Sequence, residues 1–391
     1  MAFLRTGVAV SFFLVFSVSA AMGDVQWLRY RTSKDTGQEV GASVNRVYRS
    51  FEPQRPAHVR CPEFKSDNPL FIKWYTPMDS QGFRWIALDR STPYGQQHDL
   101  LYIDSNGDGH LDDEKPYQGQ RSDQYRMAFD PFPVYLIGED GPITYHMACQ
   151  FYSYDERSRY LMMSSGGYYE GTVLIGGESV VCVLVDTNGN GTFDDTAEDF
   201  NADRILLGEP QNRREYFIGR YLDYKGTLYR LQVARDGAFV SIAAAPDVVF
   251  GVVQIPESVT KFSAGGVNGM YDKTPQNGYV RLPEGTYRVY QWEIARQDKG
   301  RDWTLRGNNF PRQESFTVSA DTPVRLDIGE PVFSRLSVSQ RQGIYTINQE
   351  LRGRMNEQVS MLQYGRQPPA PKVRIRSKTG EYDRTFSLEY G

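Results

Sequence analysis

Two stretches of this sequence carry oxygen-bearing side chains at a spacing suited to holding a cation. In "YIDSNGDGHLDDE" (102–114), Asp104, Asn106 and Asp108 alternate, Gly109 follows, and Asp112 and Asp113 close the run. In "VDTNGNGTFDD" (185–195), Asp186, Asn188 and Asn190 alternate, Gly191 follows, and Asp194 and Asp195 close the run. Calcium takes about six to eight hard oxygens, and a loop supplies them by alternation. Side chains at loop positions 1, 3 and 5 point inward, glycine at 6 permits a sharp turn, and the carbonyl at 7 adds another oxygen. The position-7 carbonyl belongs to His110 in the first loop and to Thr192 in the second, with Asp112 and Asp194 at position 9.

Position 12, normally a bidentate Glu, is Lys115 in the first loop and Ala197 in the second. Asp113 or Glu114 must therefore close the first shell, and Asp195, Glu198 or Asp199 the second, with Asp203 further downstream. The second loop has Asn at two of its three early positions, so the first is expected to bind more tightly. Sites of about 10⁻⁴–10⁻³ M still fill outside the cell. Asn, Asp and Gly are also ordinary turn residues. Two copies with the same alternation, the same glycine and the same trailing Asp-Asp argue for metal over empty turns.

These residues resemble the loops of dockerins and other exported modules with a DxNxDG pattern. The resemblance implies the ligand positions just named and no activity. A strand precedes each loop where a helix would normally enter: "DLLYI" before Asp104 and "ESVVCVLV" before Asp186. The loop needs only its first Asp presented at a fixed angle, so a strand can do this. The role expected of calcium is structural reinforcement, because signalling requires helices free to reorient.

The elements that position the loops read as short strands. "YRLQVAR" puts Tyr229, Leu231 and Val233 on one face, and "VRLDI", "KVRIRS" and "TFSLEY" alternate in the same way. Many short alternating runs with Gly, Pro and Asn-Gly punctuation predict a mainly β chain of tandem antiparallel sandwich or barrel domains. "FRWIALDRSTPYGQQHDLLYIDSNGDGHLDD" and "YYEGTVLIGGESVVCVLVDTNGNGTFDD" share one plan of strand, turn, strand and loop. That repeat places domains at 24–140 and 141–245. "VRLPEGTYRVYQWEIAR" then resembles an edge hairpin of prealbumin-like and carboxypeptidase-regulatory-like sandwiches, implying an immunoglobulin-like region over 246–391. "LRGRMNEQVSMLQYG" is the one stretch with a helical pattern, interrupted by Gly353.

Residues 1–23 read as an export signal. Arg5 precedes the apolar "GVAVSFFLVFSVSA", and "AMG" supplies small residues for cleavage. The apolar run is too short to cross a bilayer, which takes roughly 20 residues. No comparable run follows, so a soluble, exported chain with no transmembrane segment is expected in the periplasm, outside the cell or at its surface. The formal charge of −4 comes with no basic block, which argues against a nucleic-acid partner. Of Cys61, Cys149 and Cys182, the last lies in "VVCVLV" and reads as buried, leaving Cys61–Cys149 as the expected bridge.

Other motifs carry less. "SVTK", "SDN" and "KTG" occur in the wrong order for a penicillin-binding enzyme. His58, His98, His110 and His146 show no zinc spacing. "SAGGVNG" lacks the lysine of a phosphate loop. Tyr168, Tyr169, Trp292 and Trp303 suit sugar stacking if exposed and core packing if buried. The run of features resembles exported bacterial proteins rich in β structure. The reading is a non-enzymatic, calcium-stabilised surface, adhesion or scaffold component whose partner is a cell-surface polymer, a carbohydrate or another protein. The alternative is a carbohydrate-binding or carbohydrate-degrading protein.

Overall fold

A computed structural model describes residues 23–93, 97–138, 141–155, 157–311 and 315–390. The expected export signal lies outside the described residues, apart from Gly23. The chain is mainly β. Thirty of its thirty-one described strands pair only antiparallel, or in one case in both directions, and the sole described helix is the five-residue Thr36–Val40. No described helix is long and apolar enough to cross a membrane.

The N-terminal two-thirds builds four sheets. Leu70–Tyr75, Phe83–Asp89, Leu100–Ile103 and Tyr117–Gln118 form one. A second runs through Val47–Arg49, Arg159–Ser165, Gly141–Ser153, Arg126–Gly138 and Gln120–Arg121. Gly167–Ile175 and Glu178–Val185 lie in the third, and Thr227–Val233 and Phe239–Ala244 in the fourth. Ile86, Leu101, Val134, Met147, Cys182, Leu184 and Val240, drawn from all four, share a single core.

The two strands leading into the loops are apolar throughout because both their faces are covered. Successive side chains point to opposite faces, and here they enter different clusters. Leu101 and Ile103 join the main core, whereas Leu100 and Tyr102 pack with Val59, Phe71, Trp85 and Leu111. Cys182 and Leu184 likewise join the main core, whereas Val183 and Val185 pack with Val40, Tyr168 and Leu206. Each loop therefore departs from a strand locked on two sides.

Beyond residue 250 the chain forms a second sandwich. Phe250–Gln254 pairs with Tyr279–Pro283 and, in parallel, with Val324–Arg325. A larger sheet contains Lys261–Gly266, Gly285–Asp298 and Arg301–Asn308. Val253, Val280 and Leu282 meet Phe262, Tyr287, Trp292 and Ile294 between the sheets. In the "LPEGTY" run, the chain passes from one sheet to the other at Glu284, and the buried Tyr287 hydroxyl donates to the Pro283 carbonyl at 2.8 Å.

Two local expectations are corrected. The helical pattern at 351–365 is instead a strand pair, Ile344–Arg352 and Gln358–Gln363, whose turn carries Asn356 at φ 63° and closes with Gly353 N–H donating to the Glu357 carbonyl. All three cysteines are free. Cys149 lies in the main core while Cys61 packs beside the separate Val59 cluster, so the expected bridge has no route. Cys182 is buried, in line with its apolar surroundings.

Candidate metal centre

The two loops fold alike. Numbering each from its first Asp, the position-1 carboxylate accepts from the N–H groups of positions 4 and 6: Gly107 and Gly109 onto Asp104 at 2.8 and 3.0 Å, Gly189 and Gly191 onto Asp186 at 2.7 and 2.8 Å. The position-3 amide oxygen accepts from position 5, as Asn106 does from Asp108 at 2.9 Å and Asn188 from Asn190 at 3.1 Å. The position-5 oxygen accepts from position 7, as Asp108 does from His110 at 2.8 Å and Asn190 from Thr192 at 2.9 Å. The position-3 Nδ2 donates to the position-10 carboxylate, Asn106 to Asp113 at 3.0 Å and Asn188 to Asp195 at 2.7 Å.

These are local side-chain-to-backbone turns, and positive φ at Gly107, Gly109, Gly189 and Gly191 (81°, 81°, 65° and 92°) lets the chain coil tightly enough to make them. Position 8 is a buried anchor in both loops. Leu111 N–H donates to the Arg60 carbonyl at 2.8 Å and Phe193 N–H to the Arg235 carbonyl at 3.0 Å.

A later carboxylate grips position 2 in each loop. Glu114 accepts from Ser105 N–H at 2.5 Å and from its hydroxyl at 2.8 Å. Asp203 accepts from Thr187 N–H at 3.1 Å and also from Asp195 N–H at 3.0 Å. Both lie outside the alternating pattern. Position 12 contributes no acid: Lys115 is exposed, and Ala197 is buried with its N–H on the Ile218 carbonyl at 2.9 Å.

Burial separates the loops. In the first, Asp104 is buried while Asn106, Asp108, Asp112 and Asp113 are exposed, and Asp112 pairs with Arg60 at 3.1 Å. The second is sunk into the core, with Asp186 and Asp203 both 0% exposed. Burial pushes the Asp186 carboxyl up to about 6, and the nearby Asp195 adds to the rise, against the pull of the Gly191, Gly189 and Tyr145 donors. Burial also holds Asp203 well above the usual carboxylate range, reinforced by the charges of Asp186 and Asp195. Asp104 and Glu114 are raised chiefly by burial, and partly by neighbouring acids.

Distant residues support both loops. Tyr145 donates its hydroxyl to Asp186 Oδ2 at 2.8 Å, and Trp74 Nε1 donates to the Gly189 carbonyl at 2.7 Å. Beneath the first loop, Arg84 donates to the Ser105 carbonyl at 2.7 Å and pairs with Asp79 at 3.0 Å. These supports are invisible in the sequence because they arrive from other strands.

The donors are the hard oxygens calcium prefers, and each carboxylate or amide oxygen has two lone pairs, so one N–H does not exhaust it. Among the described residues no group of three or more His, Cys, Asp or Glu side chains is gathered closely enough to hold a metal ion. The first Asp of each loop is held by two backbone donors, whereas Asp113 and Asp195 accept from loop Asn side chains and Asp112 pairs with Arg60. No known protein family, curated protein or solved structure matches the chain.

The remaining sequence motifs have structural partners. Ser66 of "SDN" donates to Asp89 at 2.5 Å. His98 Nε2 lies 2.9 Å from the Asn68 carbonyl, and His110 Nδ1 accepts from Arg60 N–H at 3.2 Å. Of the aromatic candidates, Tyr168 and Trp292 are buried, with Tyr168 donating to Glu39 at 3.0 Å and Trp292 to Glu357 at 2.7 Å. Tyr169 and Trp303 are half-buried.

Proposed function

We propose that this is an exported, calcium-stabilised β protein that serves as a surface, adhesion or scaffold component. The supporting observation is the second loop, where burial first, and then repulsion from the charges of Asp186 and Asp195, holds the Asp203 carboxyl well above the usual carboxylate range. A divalent cation would offset that repulsion, and burying uncompensated charge is costly. Asp186, Asn188, Asn190, Asp194 and Asp195 would hold it with the Thr192 carbonyl. Asp104, Asn106, Asp108, Asp112 and Asp113 would do the same with the His110 carbonyl. Calcium would supply charge neutralisation and pin two strand connections; no chemical step is assigned to it. Export rests on the composition of residues 1–23.

Calorimetric titration of the full chain with calcium tests this reading. Two binding events in the micromolar to millimolar range support it, and a flat titration at millimolar calcium removes it.

A further inference from the structure

The strand Phe333–Arg341 ends the largest sheet with its outer edge open: it pairs with Ile344–Arg352, and no described strand lies on its other side. It is nine residues long, whereas the other described strands at sheet edges run two to six. All of its residues are exposed, and its ladder to Ile344–Arg352 runs without a bulge. Ile344–Arg352 meets the next strand, Gln358–Gln363, only at Arg352–Gln358, so the hairpin stands clear of the sheet. Its two-residue turn, Gln342 and Gly343, has positive φ at both positions (50° and 81°), which suits the twist of the flanking strands and preforms the hairpin.

A long open edge is a template for another strand, and proteins usually blunt such edges with proline, bulges or short length. This strand carries no proline, and its only charges are Arg335 and Arg341. Hydrogen-bonded pairs alternate along an antiparallel ladder. Counting from Arg341–Ile344, the pair that closes the turn, the backbone groups of Ser334, Leu336, Val338 and Gln340 point outward. The same strand run antiparallel against itself, with Ser337 opposite Ser337, sets Leu336 opposite Val338 and Ser334 opposite Gln340. Every outward N–H and C=O then meets a partner. Leu336 and Val338, 56% and 59% exposed, cover part of each other. The remaining pairs are Arg335 with Ser339 and Arg341 with the Phe333 ring, so no like charges face each other. Centring on Val338 would set Arg335 against Arg341, and centring on Leu336 would leave Gln340 without a strand partner.

We infer that Phe333–Arg341 pairs with the same strand of a second copy of this chain, antiparallel about a two-fold axis at Ser337, and joins the two hairpins into one four-stranded sheet. The contact uses the same patch on both copies, so it closes as a dimer and does not propagate. It is independent of the loops, of calcium and of the function proposed above.

Sedimentation velocity of the full chain from about 1 to 100 µM tests this. The chain should pass from monomer to dimer over that range, as expected of a contact smaller than about 1,200 Å². Ser337→Lys sets two ammonium groups against each other at the two-fold axis and should weaken the dimer roughly fivefold. Ser337→Glu should do the same. Mixing the two variants should restore the dimer, a rescue that a folding defect would not permit. Val338→Pro removes an outward N–H while sparing those that face Ile344–Arg352, and should abolish the dimer. Tyr345→Ser, which lies on the same apolar face as Leu336 and Val338 but on the other strand, should change dimer strength less than about twofold. A chain still monomeric at about 100 µM overturns the inference. A dimer indifferent to Ser337→Lys also overturns it. So does one lost with Tyr345→Ser and kept with Val338→Pro, which would mean that the hairpins pack face to face.

Discussion

Tyr145 and Asp186 meet in the core through a 2.8 Å hydrogen bond, with the phenol 2% and the carboxylate 0% exposed. This contact joins the second loop to the longest strand pair of the N-terminal region, and it holds Asp186 Oδ2 in position beside the Gly191 N–H. Tyr145→Phe keeps the ring and its stacking on Trp74 while deleting the donor. We expect a loss of about 1–3 kcal/mol, because a buried charged acceptor loses a partner. Urea unfolding in EDTA at neutral pH measures it, and an unchanged midpoint would show that Asp186 does not need the phenol.

The buried acids set a pH dependence of definite sign. Between its ordinary value of 3.8 and its folded value of about 6, Asp186 holds a proton that the unfolded chain has released. Its contribution is fully present below 3.8 and is lost as pH rises through about 6. Asp203 is raised too and acts in the same direction. For Asp186 alone the difference amounts to about 3 kcal/mol. Chelated protein should therefore melt higher near pH 5 than near pH 7.5. Calcium should reverse the trend, because it binds the ionised form. A chelated protein whose melting temperature climbs over that interval would contradict this.

Arg84 and Asp79 form an ion pair with side chains 2% and 7% exposed, directly beneath the first loop. Arg84→Met strands Asp79 and removes the donor to the Ser105 carbonyl. The expected cost is about 3–5 kcal/mol. Adding Asp79→Leu should restore part of it, since the stranded charge disappears. Denaturant unfolding of the single and double variants decides the matter, and equal losses in both would mean the carbonyl contact dominates.

Thiol chemistry offers an independent check on the fold. Cys149 and Cys182 are fully buried, and burial raises both thiols, Cys182 to about 12. Cys61 is half-buried and only moderately raised, again chiefly by burial. An aromatic disulfide reagent should label Cys61 alone in native protein and all three in guanidinium. Fewer than three labels after unfolding without reductant would reveal a disulfide.

The sequence carries the loops more clearly than their surroundings. Alternating Asp and Asn with Gly at fixed places is a local pattern, and the paired loops realise it hydrogen bond for hydrogen bond. Apolar runs ending at Ile103 and Val185 mark strands covered on both faces. Glu114 and Asp203 were visible as spare acids, but only the fold shows that each grips the second residue of its loop. Tyr145, Trp74 and Arg84 leave no local trace, because Tyr145 lies 41 and Trp74 115 positions from the residues they hold. Which aromatics face outward depends on which sheet face another layer covers. Trp292 is covered and Tyr48 is not, and period-two alternation cannot tell the two cases apart. The expected cysteine bridge is absent for a related reason: setting Cys182 aside as buried does not reveal that Cys149 is buried too, in a different cluster from the one Cys61 packs against.

The most direct test of calcium stabilisation is the melting temperature of the full chain in calcium and in EDTA, compared among the unmodified protein, Asp104→Asn and Asp186→Asn. Calcium is expected to raise the melting temperature of the unmodified protein. Asp186→Asn should abolish most of this rise, because the second loop is the buried one, and Asp104→Asn should remove less. A melting temperature indifferent to calcium at neutral pH in all three proteins would contradict calcium stabilisation and leave the paired loops as turns held by their own hydrogen bonds.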